Sequence, residues 1–598
     1  MIGPEGSSPS EARVRVRAAL EQWICGRRLW VSLAVLAAVL SLPAYFSDYQ
    51  IDDWVHQARL REHPILPNHI HPIVELFTFM DGSAAFHEYA VMGGSVPWYT
   101  RSDMLVNLLR PVSAATHWVD HLVAPAVPLV AHVHSVAWFV LVVILATFLF
   151  RHVYRGHAAA VVGGLAALAY AVDESHGLPV AWIANRSGMI TCAFGLAILL
   201  LHRRAVTVGK WPVWALVLLP VGLLAGEATL AVTAYLFAHA IFLERDALRT
   251  RLFRLVPYAA VVLAWRGVYS YLGYGTRASG LYLDPGREPL EFGVALTQRL
   301  PLLLGDQWAG VPSLQANFFD PGYKAATVLL CVGLLAGLGW LLWRRIGASP
   351  TARFWALGMV LSAVPMCATF PSNRLLWFVG LGGAGLLAEF LVAAWAAPER
   401  LDRWVARALF AFHIVLAPVA FVGNAAALSV MADHMFESCE RAVPDDPSVA
   451  AKTAVFVNSN ALCAGQARVI RAVKGGQVWR ASVLMASAVV DVEVIGIDEH
   501  TVEVRPKGGY HRHAPDQLFR AGADPMPVGT QVRLEAATVT ITEHNDAGYA
   551  AAARFRFDVP LRDPSLLWRS HEEWKVVDFT PPAPGERRLI RTSLRLPD

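Results

Sequence analysis

The chain has 598 residues, 55% of them hydrophobic and 16% charged, with a mean hydropathy of +0.42. A soluble domain is about 45–50% apolar and about 25% charged, so a soluble enzyme, a disordered chain and a fibre are excluded. The net charge of +4 lies in short basic clusters between apolar blocks, which is a topology signal and not a nucleic-acid stripe; six cysteines in so long a chain exclude a disulfide scaffold.

Residues 1–28 are polar and Arg-rich, with Arg13, Arg15, Arg17, Arg27 and Arg28. The first apolar block, 29–46, has no small-x-small cleavage site after it and is read as an uncleaved first helix. Further blocks lie at 131–150, 157–172, 188–202, 211–225, 228–243, 255–272, 325–343, 352–369, 375–396 and 405–430. By the rule of about 20 apolar residues per span, this predicts about eleven transmembrane helices across 29–430. Alternate connections carry the Arg clusters, among them Arg203 and Arg204, Arg249 and Arg251, Arg344 and Arg345, and Arg400 and Arg403. Those connections and the N-terminus are placed in the cytoplasm.

The opposite side receives long loops at 47–130 and 273–324, short ones at 173–187, 226–227 and 370–374, and everything after about 431. Surface-lying helices are predicted within 104–130, broken by Pro111, Pro125 and Pro128, and at 290–304. Residues 431–450 read as a linker. From 451 to 598, alternation such as Val490, Val492, Val494 and Val502, Val504 predicts a small, mostly β soluble domain, with a strand at 454–457, a helix at 464–473 and a turn at Gly508 and Gly509. Cys439 and Cys463 are the cysteines expected on the oxidising side, where a disulfide can form. Arg predominance and abundant Ala point to a bacterial chain, hence a multi-pass inner-membrane protein with a periplasmic C-terminal domain.

Four outer segments carry candidate chemistry. Asp52 and Asp53 follow the first helix, with Trp54 and His56 close behind. Adjacent carboxylates there can act as a general base or, with His56, as ligands of a divalent metal; they can also merely mark the water side of a helix. Asp173, Glu174, His176, Trp182, Asn185 and Arg186 share the second outer segment. Arg186 and Arg374 run against the positive-inside trend. A guanidinium fork for phosphate is one reason to keep them outside, and snorkelling at the interface is the other. Glu227 sits in a tight outer turn, and Arg266 lies within a span, where an ionisable group needs a partner. His117 and His121 are spaced to share a helix face. No phosphate-binding loop, dinucleotide fingerprint or nucleophile elbow is present.

An acidic pair after the first helix, a second acidic and Arg-bearing outer loop and an outer soluble tail together resemble the GT-C superfamily of integral-membrane glycosyltransferases. These use lipid-phosphate sugar donors, as in the protein O-mannosyltransferases and aminoarabinose transferases. The stretch 176–190, with Ala181, Trp182, Ile183, Ala184, Asn185 and Arg186, is similar to the second-loop segment of O-mannosyltransferases that bear helical repeats, although no such repeats occur here. Leu224 to Glu227, Pro371 to Arg374 and Val455 to Ser459 are similar to segments of a group of bacterial polytopic proteins related to those families.

The resemblance implies a GT-C-like transmembrane domain and transfer of a sugar from a polyprenyl-phosphate donor to a glycan, lipid or protein acceptor of the envelope. It implies Asp53 or Asp52, with Asp53 favoured, as the residue that takes the acceptor proton or holds a divalent metal; Asp173 or Glu174 positioning the acceptor or assisting the metal; and Arg186, Arg374 and Arg266 on the lipid phosphate. All are expected around one cavity at the outer membrane boundary. A non-catalytic scaffold and a lipid or glycan transporter are the alternatives.

Overall fold

The computed structural model describes residues 18–592 except 68–70, 155, 319–320, 396, 523 and 573–574. Most of the Arg-rich start, including Arg13, Arg15 and Arg17, therefore lies outside the described residues. Each of the eleven apolar blocks falls on helix. Among the described residues, six helices are long and apolar enough to cross a membrane: Pro128–Val153, Ile183–Thr207, Leu248–Tyr271, Gly322–Ala348, Trp377–Trp395 and Arg400–Arg441. A seventh span forms if Ala18–Cys25 and Leu29–Leu40, bent by 95°, count as one. The remaining apolar helices, His157–Ala171, Val213–Ala225, Val232–Phe242 and Pro350–Met366, are shorter. At 1.5 Å per residue, a 15-residue helix covers only about 22 Å of a hydrocarbon layer about 30 Å thick. The molecule is a multi-pass membrane protein.

Trp377–Trp395 is the central helix, with 83% of its apolar window buried, whereas Leu248–Tyr271 and Gly322–Ala348 lie at the periphery with 11% and 17%. Its glycines permit that position. A Cβ on Gly385 would stand 2.6 Å from the Trp355 ring, so only Gly lets the two helices approach.

The long loops fold into structure of their own. Residues 47–130 form helices Asp52–Leu60, Ala84–Gly93 and Pro111–Val123, and strands Thr78–Asp81 and Leu105–Asn107. The two strands join Gly275–Arg277 from the second long loop in one antiparallel sheet. The predicted surface helix at 290–304 is part of Pro289–Ala309.

The C-terminal region contains two sheets. In the first, Thr453–Ser459 runs parallel to Ala481–Ser487 on one side and Leu566–Glu572 on the other, with helix Ala461–Val473 as the crossover. The second is a six-stranded antiparallel sheet in which Arg587–Ile590 lies beside Val492–Gly496. This region does not hang free. Phe86, Trp98, Tyr99 and Val106 of the outer loop share one apolar core with Phe456, Trp479 and Val483 of the tail.

The reading of 431–450 as a linker is corrected: Glu437, Cys439 and Glu440 are buried there. Cys439 and Cys463 form a disulfide, with Cα atoms 5.6 Å apart.

Candidate active site

The site begins at a backbone anomaly. Ile51 has φ 49°, rare for a β-branched residue, and turns the chain sharply into helix Asp52–Leu60. Asp52 and His56, four residues apart, then share one helix face. Both line a cavity of about 430 Å³, together with Trp182, Asn185, Glu227, Arg266 and Arg374. First-loop, second-loop and later-turn candidates far apart in sequence are thus brought to one wall.

The other candidates lie elsewhere, which corrects the expectation of a single shared cavity. Asp53, the favoured member of the pair, does not reach the wall. One of its carboxylate oxygens accepts from the Gln50 N–H at 2.9 Å and the other from the Ala184 N–H at 2.6 Å, so it holds the two outer segments together. Asp173 accepts from the Ser175 N–H at 3.0 Å and from Gln307 Nε2 at 2.8 Å. Burial pushes the Glu174 carboxyl well above the usual carboxylate range, with the Asp173 charge adding to the effect. His176 stacks on Trp377 with ring centroids 4.4 Å apart. Arg186 is fully buried. It pairs with Asp120 at 2.6 Å and donates to Ser135 Oγ and the Ala131 carbonyl, leaving no fork for a ligand. His117 lies with its ring 5.4 Å from that of His56.

Within the cavity the charges are sorted. Arg110 pairs with Glu227 at 2.7 Å, and the Tyr269 hydroxyl donates to the other Glu227 oxygen at 2.9 Å. Arg266 finds its partner in Asp284 at 2.8 Å. Arg110, Tyr269 and Asp284 were missed from the sequence. Arg110 and Asp284 sit in long polar loops, where a charge carries no topological signal.

Arg374 differs from the other cations. Its guanidinium lies over the rings of Phe370 and Trp182, 4.9 and 5.6 Å from their centroids, and makes no ion pair or hydrogen bond to a described residue. Burial pushes Asp52 up to about 6, opposed by the Arg374 charge and a hydrogen bond from Gln466. Burial, reinforced by Arg59, Arg110 and Arg186, pushes His56 down to about 3, so its imidazole is neutral at pH 7.

Several buried polar atoms on this wall have no partner within the described protein: both His56 nitrogens, Asn185 Nδ2, Thr369 Oγ1, and the indole nitrogens of Trp182, Trp265 and Trp377. Buried polar groups are nearly always hydrogen-bonded, so this many on one wall mark a site for a polar ligand. The Asp52 carboxylate and His56 imidazole are also an oxygen and a nitrogen ligand of suitable type for a divalent cation.

No protein-family model and no curated protein matches the chain. Among solved structures it is similar to the Archaeoglobus fulgidus oligosaccharyltransferase tethered with an acceptor peptide containing the NVT sequon. The identity is 15%, over 77% of this chain and 64% of that one, with a TM-score of 0.38. It is also similar to ArnT from Cupriavidus metallidurans bound to undecaprenyl phosphate, at 15% identity over 72% and 83% of the two chains, with a TM-score of 0.27. Both belong to the GT-C glycosyltransferases that the sequence resembles. The overlaps are too loose for the assignment of any residue here, and this chain spans under two thirds of the oligosaccharyltransferase.

Proposed function

We propose that the protein is a membrane glycosyltransferase that moves a sugar from a polyprenyl-phosphate donor to an envelope acceptor on the outer face of the inner membrane. The observation that carries this reading is the meeting, in one cavity, of a half-buried carboxylate, an uncommitted guanidinium and a wall of unpartnered donors. In this reading Arg374 holds the departing phosphate, whose charge grows as the glycosidic bond breaks. Asp52, with a pKa near 6, is mostly ionised at neutral pH and is suited to take the acceptor's hydroxyl proton. The indole and imidazole N–H groups suit sugar hydroxyls. A divalent cation held by Asp52 and His56 would add positive charge at the leaving group.

The test is transfer from radiolabelled polyprenyl-phosphate hexoses in proteoliposomes. Asp52→Asn should lose about 10²-fold or more of the rate. Arg374→Ala should lower kcat as well as weaken donor binding, because the contact strengthens as the phosphate departs. A wild-type chain that binds the lipid yet transfers nothing would favour the scaffold reading.

A further inference from the structure

A second constellation lies far from the cavity. His202 stands near the end of helix Arg186–Thr207, His239 near the end of Val232–Phe242, and Glu244 just beyond that second helix. One ligand atom from each falls within 4.8 Å of the others. The cavity touches Ser187 at the start of the first helix, and about fifteen residues at 1.5 Å each put the trio about 22 Å away. We infer that His202 Nε2, His239 Nδ1 and one carboxylate oxygen of Glu244 form a site for a divalent transition metal, with zinc the best match.

Geometry carries the assignment. Both imidazole nitrogens converge on the same oxygen, Glu244 Oε1, each at 3.3 Å. A charge-assisted hydrogen bond to a carboxylate would be about 2.7–2.9 Å. Bonds of about 2.0 Å to a tetrahedral zinc instead place neighbouring ligand atoms about 3.3 Å apart, as each imidazole stands from the carboxylate oxygen, while the two imidazole nitrogens lie within 4.8 Å of each other. The surroundings orient the ligands as metal sites require. His202 uses its other nitrogen on the Tyr258 hydroxyl at 3.0 Å, which leaves Nε2 facing Glu244. Arg254 holds the second oxygen of Glu244 at 2.7 Å, so the carboxylate offers one oxygen to the site. The side chains of His202 and Glu244 are fully buried, and that of His239 is 6% exposed. Two imidazoles and one carboxylate suit zinc better than magnesium or calcium. Bound there, with water in its fourth position, the ion fastens the far end of helix Arg186–Thr207, whose start meets the cavity, to the end of Val232–Phe242, which follows the cavity-lining turn Glu227–Ala231.

The experiment is metal analysis of the full chain, purified in detergent without a polyhistidine tag after growth with zinc. His202→Gln and His239→Asn each keep an amide donor where the ligating nitrogen stood, so a hydrogen-bonded triad would survive them while zinc ligation would not. Wild type should carry about one zinc per chain. Each variant should lose about tenfold or more of that content. Chelation should lower the thermal midpoint of wild type, and added zinc should restore it. Wild-type protein that neither retains zinc nor shifts its midpoint on reloading would overturn the assignment, as would variants that retain the metal. Should both variants fail to fold, the chelation and reloading of wild type decide the matter.

Discussion

Asp52 keeps its charge at the edge of an apolar pocket, and its pKa near 6 gives two linked expectations. Transfer should rise with pH through a midpoint near 6, because the proton-accepting form is the ionised one; a flat profile from pH 5 to 8 would contradict it. Stability should run the other way. The folded pKa lies above the unfolded value of 3.8, so the native state binds the proton more tightly between about pH 4 and 6. This contribution is present below pH 4 and lost as pH rises through 6. Asp52→Asn should therefore keep or raise the thermal midpoint at pH 7 while losing about 10²-fold or more of the transfer rate. Asp53→Ala should do the reverse in kind, costing about 1–2 kcal/mol by orphaning the N–H groups of Gln50 and Ala184. The sequence shows an acidic pair but cannot divide it. The division depends on the turn at Ile51 and on a hydrogen bond from a residue 131 positions away. Arg186 and Arg374 likewise look alike as outward arginines; the presence of Asp120 beside one of them separates a buried ion pair from a free guanidinium.

Helix Ala461–Val473 joins the tail to the site. Its Val469, Ile470 and Val473 pack in one apolar cluster with Trp54 and Ala58 of the acid-bearing helix. Lys474 lies over the Trp54 ring at 5.1 Å, and the Trp54 indole donates to Glu437 at 3.1 Å. The approach is so close that a Cβ on Gly465 would stand 2.4 Å from the Ser95 carbonyl oxygen. Gly465→Val should thus loosen the tail, lower stability by about 1–3 kcal/mol and reduce transfer, measured by thermal unfolding and assay of the same sample. The disulfide holds the start of this helix across a separation of 24 residues. Its loss in Cys463→Ser should cost about 3 kcal/mol; an unchanged midpoint would show that the packing alone is enough. Helix, strand and disulfide here are legible from alternation and from the count of outward cysteines. The docking is not, because it depends on loop residues such as Trp98 and Tyr99 with no periodic signature.

On the scale of the molecule, every apolar block falls on helix, but among the described residues only six helices, or seven with the bent pair, are long and apolar enough to cross a membrane, so the blocks foretell helix without fixing the number of spans. They do not foretell which helix is central, because lipid and protein interior select the same residues; the glycines of Trp377–Trp395 are the one sequence trace. Sheet order is also beyond the sequence, as Arg587–Ile590 pairs with Val492–Gly496 across most of the tail. The proposed function requires the tail to lie across the membrane from the N-terminus, as the distribution of the Arg clusters predicts. A periplasm-active reporter fused after Asp598 should be active and a cytoplasm-active one silent; the opposite pattern would set the cavity on the nucleotide-rich side and end the lipid-donor proposal.

The most direct measurement is a cryo-EM structure of the full chain with a polyprenyl phosphate bound. The phosphate should lie within hydrogen-bonding distance of the Arg374 guanidinium, on the cavity wall that carries Asp52, and its density should vanish in Arg374→Ala. A phosphate bound elsewhere in wild type, with the Asp52 cavity empty of lipid, would contradict the proposed chemistry.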